Sequence, residues 1–538
     1  MTTYRPMSPT TGLGPLDAYS QEQARLHKRV VLCITWIVNA GQFLLHTYRG
    51  MVLAAAPIIA SRTDTQYLYV ALLQFAFDAT YVVGAPVFGM LAYLRMRTLF
   101  VLVISWALGG VAGLMLGLEP SLLSTSSTHG IPLIFFGSQV LGGFTAAGQL
   151  TLSLPYLSNT VVDVKSFIRA QTTRVMLVPM GTTVGFLAVG FATSYLERWN
   201  LVFLVPGAGF IVLGIIAVLL PCLSCTHWNF REQKTELFTF RSHRGAITCK
   251  KIFKFAITRE FIFINIGWAV IIFVTAIQQQ FLPRFLQMSL FNTPETASHG
   301  AYLVGSTALL AAITSALLMR TGLGALLPSK LQFKEVLVVF TGQTRQRVLR
   351  WTLWLLLFGT LSGSALYFTS LLQSIPYDLH LLLTFFLTFI LLASLTATST
   401  VIDFIFITSC TMPHAPMATA LSNVVTHVLG DLFWPVLVGL LAGTTHEEAI
   451  VFGCMSLALV VPMVLWNHPS INNSTMAQTL GLIFRDDASA DGSQGSGPSH
   501  WPLPNDHGVI RSYRSASPDS VLSEEVQEAD PVASVTPQ

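Results

Sequence analysis

The chain has 538 residues, of which 52% are hydrophobic and only 10% are charged, with a net charge of +4. So few charged side chains cannot cover a water-soluble fold of this length, which excludes a soluble enzyme and makes a lipid bilayer the main solvent. The six cysteines are too few and too scattered for a disulfide framework, and we expect them to be reduced.

The N-terminal segment, residues 1–28, is polar and rich in Thr, Pro and Gln. It lacks the apolar stretch and the small-residue cleavage site of a signal peptide. We therefore predict a cytosolic N-terminal tail, after which the first apolar helix directs membrane insertion itself.

Apolar windows follow, each close to the roughly 20 residues with which a helix crosses a bilayer. The twelve windows are approximately 30–56, 67–92, 99–118, 131–157, 172–195, 201–221, 260–282, 300–319, 351–371, 380–405, 418–442 and 449–466. If the N-terminus is cytosolic, Lys and Arg concentrate in the cytosolic loops, as the positive-inside rule requires, and Arg345 counts among these loop charges. The pattern predicts an even number of crossings.

The longest polar interruption, 222–258, divides the windows six plus six. We predict an all-α membrane protein of two six-helix bundles, 29–221 and 259–466, joined by this basic cytosolic linker. A cytosolic tail, 467–538, follows, and its Ser, Gly, Asp and Pro content predicts disorder. Two joined six-helix bundles are the architecture of the major facilitator fold, whose substrate cavity lies between the halves near mid-membrane.

The linker holds the one arrangement that suggests a metal site, formed by Cys222, Cys225 and His227. The spacing is not C-x-x-C-H, and no second pair of ligands follows. We therefore predict no metal ion and no other cofactor, and interpret the two cysteines as unliganded or palmitoylated.

Several stretches of the chain carry a resemblance to one family. They are residues 72–106 with Gln74, Tyr81, Gly89 and Trp106, the set Pro179, Gly181 and Gly185, the segment GWAVIIFVTAIQQQFLP at 267–283, and HVLGDLFWP from His427 to Pro435. On these residues the chain resembles the Spinster-like family of major facilitator transporters, which is linked to sphingolipid and lysophospholipid export. The resemblance implies a lipid transporter with a conformational motif at Gly89, Arg97, Pro179, Gly181, Gly185 and Pro435.

The chain departs from this family at its coupling positions. The family loop after the second helix reads G-x-L-x-D-R-x-x-R-K, and the chain keeps Gly89, Leu91 and Arg97 of this motif. It has Tyr93 in place of the acid, Leu94 in place of the first Arg and Thr98 in place of the last Lys. The Asp-Arg pair of the first helix reads Tyr48-Arg49, and the Arg and Glu of the fourth align with Gln139 and Ala146. Because the resemblance assigns proton coupling and head-group handling to those groups, we predict that any coupling is weaker or rerouted.

Ionisable side chains inside the bilayer are functional candidates, because each costs at least about 2.5 kcal/mol there. The windows contain Arg49, Asp78, Arg174, Asp403 and Asp431. Asp78 is expected near mid-membrane, either in proton coupling beside Arg49 or Arg174 or in a static ion pair. Arg49 either holds an anionic head-group or snorkels to the outer interface. Asp403 takes part in coupling or lies at a helix end.

His427 and Asp431 are four residues apart and share one face of the eleventh helix. Because an ordinary His has a pKa of about 6.5, the pair suits a proton sensor or relay, and a packing hydrogen bond is the alternative. Gln278 and Gln279 interrupt the apolar seventh helix and either bind a head-group or lie at the outer interface.

The fifth helix contains a proline and several glycines, among them Pro179, Gly181 and Gly185. These residues suit either a helix that flexes between the halves or close static packing.

These patterns favour secondary transport of an amphipathic lipid by alternating access. A non-transporting receptor or scaffold of the same fold and a transporter of another small organic solute are the alternatives. No nucleophile elbow, metal-ligand spacing or phosphate-binding glycine loop supports an enzyme. We expect a monomer with a small-molecule or lipid substrate and no nucleic-acid partner, in a late endosomal or lysosomal membrane rather than the plasma membrane.

Overall fold

A computed structural model gives the fold of most of the chain. It describes residues 15–63, 67–93, 98–118, 131–161, 164–195, 199–225, 258–290, 297–326, 343–369, 371, 375–409, 415–434, 436–437 and 445–468. The predicted linker, apart from its first and last residues, and the predicted C-terminal tail from residue 469 lie outside these ranges.

Within those ranges the regular structure is entirely helical. The helices are α1 (Pro15–Thr63), α2 (Tyr67–Tyr93), α3 (Thr98–Leu118), α4 (Ile131–Thr160), α5 (Val164–Tyr195), α6 (Leu204–Cys225), α7 (Arg259–Ser289), α8 (Ala297–Leu326), α9 (Gln343–Thr369), α10 (Tyr377–Ser409), α11 (Ala415–Gly430), α12 (Thr445–Leu457) and α13 (Val460–Trp466). A short 3-10 helix, Trp199–Phe203, precedes α6.

The helices match the twelve predicted crossings one by one, with α12 and α13 forming the last. Among the described residues, eleven of these crossings have a helix long and apolar enough to span a membrane. The eleventh predicted window, 418–442, instead contains a 16-residue helix, α11, that ends at Gly430. Glycine is a poor helix former, and the proline at position 435 cannot donate a helical hydrogen bond, so the sequence itself interrupts this crossing.

Several helices extend beyond their apolar windows. The first begins at Pro15, inside the predicted tail, and the ninth begins at Gln343, ahead of the predicted start at 351. Gln, Glu, Arg and Lys at these ends favour a helical backbone but not a hydrocarbon environment. The helix therefore continues beyond the apolar window that hydropathy detects.

The helices form two halves, α1–α6 and α7–α13. In the first half α1 packs on α5 while α4 packs on α2 and α3, and in the second α9 packs on α10 and α12 while α7 packs on α11 and α13. The halves meet mainly where α5 packs on α8 and where α2 packs on α11. This division is what creates a cavity between them.

A buried ion pair joins two helices of the second half. The Arg345 guanidinium on α9 donates to the Glu260 carboxylate on α7, and both side chains are 2% exposed. Arg345 was predicted to be a loop charge, but the structure places it, buried, in the first turn of α9. The pair holds these two helices together at the predicted cytosolic side.

Close packing of α1 on α5 depends on glycine. A Cβ atom at Gly181 would lie 2.6 Å from the Phe43 carbonyl oxygen and 2.9 Å from the His46 Cβ, so only glycine fits there. We therefore expect Gly181→Val to separate the two helices and to destabilise the protein by about 1–3 kcal/mol, the usual result of overpacking. The melting temperature in detergent measures this loss.

Gly214→Val is the matched control for that variant. The nearest atom to a Cβ at Gly214 is the Val103 Cγ1 at 3.7 Å, which is an ordinary contact distance. We expect this variant to melt close to the unmodified protein. Equal losses at the two positions would contradict a special role for the α1–α5 seam.

Candidate functional site

A cavity of about 250 Å³ lies between the two halves. Both halves contribute to it, and its walls are mostly apolar, with Trp268, Ile271 and Phe186 among them. The polar and charged groups that line it are Gln42, His46, Arg49, Tyr81, Arg174, Thr182, Thr183, Thr275, Gln278, Gln279, Thr396, Ser399, Asp403, Thr419, Ser422, Asn423, His427 and Asp431. Polar groups in an apolar wall are typical of a small-molecule site.

Arg49 faces this cavity, and its nearest carboxylate is Asp78. One Arg49 Nη atom lies 3.7 Å from the Asp78 Oδ1, and the guanidinium lies 5.1 Å above the Phe77 ring. Gln74 donates to the other Asp78 oxygen at 2.6 Å. The sequence left Arg49 and Arg174 as possible neighbours of Asp78, and the structure places Arg49 there, facing the cavity.

Arg174 pairs instead with Asp403, from the opposite half. The Arg174 Nη2 donates to the Asp403 Oδ2, and Gln171 donates to the same oxygen at 2.6 Å. Arg174 Nε also donates to the Gln171 side-chain oxygen at 3.0 Å. We call Arg174 and Asp403 the cross-bundle pair, because it joins α5 to α10.

Neighbouring contacts close the same side of the cavity. Asn423 on α11 donates to the Thr151 hydroxyl on α4 at 3.1 Å, and the rings of Phe167 and Phe404 lie 6.5 Å apart between α5 and α10. Gly89 on α2 faces α11 so closely that a Cβ would lie 2.6 Å from the Ala420 Cβ. In this conformation the halves therefore touch at the predicted cytosolic side.

His427 and Asp431 bond to each other and lie beside Asp78. The His427 Nδ1 is 2.8 Å from both carboxylate oxygens of Asp431, and the Tyr81 ring packs edge-on against the imidazole, with centroids 4.2 Å apart. One ligand atom from each of Asp78, His427 and Asp431 lies within 4.8 Å of the others. The sequence predicted the pair of His427 and Asp431, and the structure places Asp431 directly after the last residue of α11. The sequence did not predict that Asp78 on α2 completes a group of three.

The glutamines of α7 face the cavity too. The Gln278 side-chain oxygen accepts a hydrogen bond from the Tyr367 hydroxyl at 2.5 Å and is 2% exposed, whereas Gln279 is half-buried. Gln278 therefore has a partner in α9, while Gln279 is the amide more available to a solute.

Gln139 does not line the cavity. It is buried inside the first half, where its amide nitrogen lies 3.5 Å from the Tyr48 hydroxyl, which donates to the Ser138 carbonyl at 3.1 Å. The structure thus places Gln139 in helix packing.

The predicted conformational motif divides into three groups. Pro179 lines the cavity, Gly181 and Gly185 face α1, and Gly89 faces α11. Arg97 and Pro435 lie outside the described residues.

Sequence reasoning missed His46 and Gln42. Both line the cavity, and their side-chain nitrogens are 2.9 Å apart. The signal was present, because His46 precedes Arg49 by three residues and therefore shares its helix face. The buried amide of Gln149 donates to the Gln42 side-chain oxygen at 3.4 Å and accepts from Trp106 at 2.8 Å, which ties this face into the first half.

Comparison with known proteins agrees with this architecture. The family profile described as the Major Facilitator Superfamily matches residues 38–342. No curated protein sequence matches the chain.

Solved structures share its fold at low identity. A bacterial homologue of the iron transporter ferroportin, in an outward-facing state, has a TM-score of 0.57 at 12% identity, covering 81% of this chain and 98% of its own. A mutant of the nucleoside transporter NupG has a TM-score of 0.52 at 12% identity, covering 80% and 99%. A bacterial homologue of the human lysosomal transporter Spinster, inward-facing and unoccupied, has a TM-score of 0.47 at 15% identity, covering 86% and 98%. The predicted fold class, twelve transmembrane helices in a 6+6 arrangement, is confirmed.

Proposed function

The chain belongs to the Major Facilitator Superfamily, a family of membrane transporters and not of enzymes, and from that premise we propose that it carries an amphipathic lipid by alternating access. It is a multi-pass membrane protein with a small-molecule substrate. The observation that carries the proposal is the cavity between its halves, which combines an apolar wall with a small number of charged groups.

The distribution of polar groups supports an amphipathic solute. Arg49 and His46 lie one turn apart on α1, and the charge of Arg49 together with the hydrogen-bonding capacity of both side chains suits an anionic or zwitterionic head-group. Trp268, Ile271 and Phe186 offer apolar surface for a hydrocarbon chain. A volume of about 250 Å³ suits a head-group, so the rest of a lipid would extend along this wall.

Further assignments belong to this proposal. We propose that ion coupling passes through Asp78, His427 and Asp431, because the coupling groups expected in the first and fourth helices are replaced by Tyr48, Gln139 and Ala146. The resemblance of residues 72–106 and 427–435 to Spinster-like proteins supports a sphingolipid or lysophospholipid substrate. It also supports a monomer in a late endosomal or lysosomal membrane, with both tails and the linker cytosolic.

Uptake of a fluorescent lysophospholipid into proteoliposomes tests the proposal. We expect uptake that is faster with an imposed pH gradient than without it, and a loss of at least tenfold in Arg49→Gln. The loss follows because a hydrogen bond to a charged group contributes about 1.5–3 kcal/mol, and each 1.4 kcal/mol is a factor of about ten.

Arg350→Gln serves as the matched control, since Arg350 is an exposed arginine of α9 outside the cavity. We expect it to transport at the unmodified rate. Equal uptake in empty liposomes and in proteoliposomes would instead favour the receptor or scaffold hypothesis. Uptake of a water-soluble solute, with no uptake of the lipid, would favour a transporter of another small organic solute.

A further inference from the structure

The meeting point of α2 and α11 brings together three side chains that can ligate a metal. Asp78 comes from the first half, and His427 and Asp431 come from the second. We propose that these three residues, the α2–α11 triad, bind a divalent transition-metal ion such as Mn²⁺ or Zn²⁺ at the edge of the cavity. The proposal names an ion for the three residues to which the proposed function assigns ion coupling, and it rests on that assignment but not on the identity of the solute.

The ligand types select this class of ion. Carboxylates suit Mn²⁺ and imidazole suits Zn²⁺ and Fe²⁺, so one imidazole with two carboxylates favours first-row transition metals over Ca²⁺ or Mg²⁺. Metal–ligand distances near 2.1 Å place adjacent ligand atoms about 3 Å apart. The ligand atoms of the triad already lie within 4.8 Å of one another, so small side-chain rotations complete the site.

The local charge also favours a cation. Asp78 and Asp431 are 1% and 2% exposed, and Arg49 is the cation that contacts Asp78, while Arg174 of the same cavity is paired with Asp403. Arg49 contacts Asp78 at 3.7 Å, longer than a hydrogen bond, and its Nε has no partner among the described residues. Two buried carboxylates beside one guanidinium leave excess negative charge, which is costly unless a cation or a proton balances it.

Tyr81 gives an independent indication that a ligand belongs here. Its side chain is 1% exposed and lines the cavity, yet its hydroxyl has no hydrogen-bond partner in the part of the chain that the structure describes. The Tyr81 ring packs edge-on against His427, a member of the triad. A buried hydroxyl without a hydrogen-bond partner costs about 1–3 kcal/mol. A bound metal ion, or a water molecule held by that ion, would give the Tyr81 hydroxyl a partner.

The end of α11 adds a partial negative charge. The helix stops at Gly430, and the His427 carbonyl accepts from the backbone nitrogens of Asp431 at 3.2 Å and Leu432 at 2.9 Å. The C-terminal end of a helix carries partial negative charge, and discontinuous helices of transporters use such ends to hold cations. The fold thus supports the triad with its backbone as well as with its side chains.

Electron paramagnetic resonance of Mn²⁺ added to the purified full-length protein in detergent tests the proposal. We expect one Mn²⁺ per chain, with nitrogen modulation in the spin echo that reports direct coordination by an imidazole. We expect His427→Gln and Asp431→Asn each to weaken Mn²⁺ binding at least tenfold, since even residues outside the first coordination shell change metal affinity 10- to 100-fold.

The controls are His380→Gln and Asp378→Asn, which alter the same residue types at the start of α10, outside the cavity. We expect them to bind Mn²⁺ as the unmodified protein does. If the triad holds only a proton, the unmodified protein will show no bound Mn²⁺ and no nitrogen modulation, and that result overturns the proposal. Equal losses in the controls also overturn it.

The spectrum of the unmodified protein decides the question even where a variant does not fold. Because Mn²⁺ is added without any lipid, failure of metal binding is distinguishable from failure of lipid transport.

Discussion

Replacing Arg174 with Met is expected to slow transport at least 100-fold, because it breaks the cross-bundle pair. Removing one partner of a buried ion pair costs about 3–5 kcal/mol. Since Arg174 and Asp403 belong to opposite halves, this loss falls on the conformation in which the halves touch at the predicted cytosolic side. At about 1.4 kcal/mol per factor of ten, the equilibrium constant that favours that conformation falls more than 100-fold.

A disulfide cross-link measures the population of that conformation directly. In a background without the native cysteines, Phe167→Cys with Phe404→Cys places two thiols across the α5–α10 contact, where the native rings are 6.5 Å apart. We expect efficient oxidation with Arg174 present and little with Arg174→Met. Phe285→Cys with Tyr367→Cys, at rings 5.0 Å apart within the second half, is the control pair and should form in both backgrounds.

A double variant separates the charge from the shape of the site. Arg174→Met with Asp403→Leu removes both charges, and apolar replacement of a whole buried pair is often neutral or stabilising. We expect the cross-link between α5 and α10 to return. Persistent loss of this cross-link in the double variant, or full transport by Arg174→Met alone, would show that the cross-bundle pair does not set the conformational balance.

Arg345→Met is expected to destabilise the protein by about 3–5 kcal/mol and to lower the melting temperature in detergent. The variant removes the cation to which the Glu260 carboxylate is bonded, and both groups are buried. Unlike the cross-bundle pair, this pair lies within one half, and Arg345 does not line the cavity. We therefore expect the transport rate per folded molecule to be unchanged.

Arg345→Met with Glu260→Leu is the companion variant. It should recover most of the lost stability, because no buried charge then lacks its counter-ion. A melting temperature for Arg345→Met equal to that of the unmodified protein would mean that the pair contributes no stability. A transport loss larger than the loss of folded protein would give it a functional role.

Hydropathy was enough to predict the crossings, because the bilayer requires long apolar helices with satisfied backbone groups. It could not predict the end of α11 at Gly430, since the residues on both sides of the break are equally apolar. It also counted Arg345 as a loop charge, because the positive-inside rule considers where a basic residue lies along the chain and not which carboxylate it meets.

The sequence predicted which charged residues belong to the candidate site but not how they pair. Arg49, Asp78, Arg174, Asp403 and Asp431 stand out in the sequence because charge is rare in a membrane helix. Their pairing depends on how helices rotate and which half they belong to, and both follow from three-dimensional packing. The short-range pair of His427 and Asp431 was predictable because helical spacing fixes it, whereas the approach of Asp78 from another helix was not.

The early end of α11 has a mechanical consequence. Its 16 residues include Ala420, which faces Gly89 of α2, and Asn423, which donates to Thr151 of α4. The helix packs on its own half mainly through α7, where Ser422 donates to Asn265. Because the helix ends at Gly430, this short segment can move before the rest of its half turns. We therefore expect the contacts of α11 with α2 and α4 to separate before the other contacts between the halves.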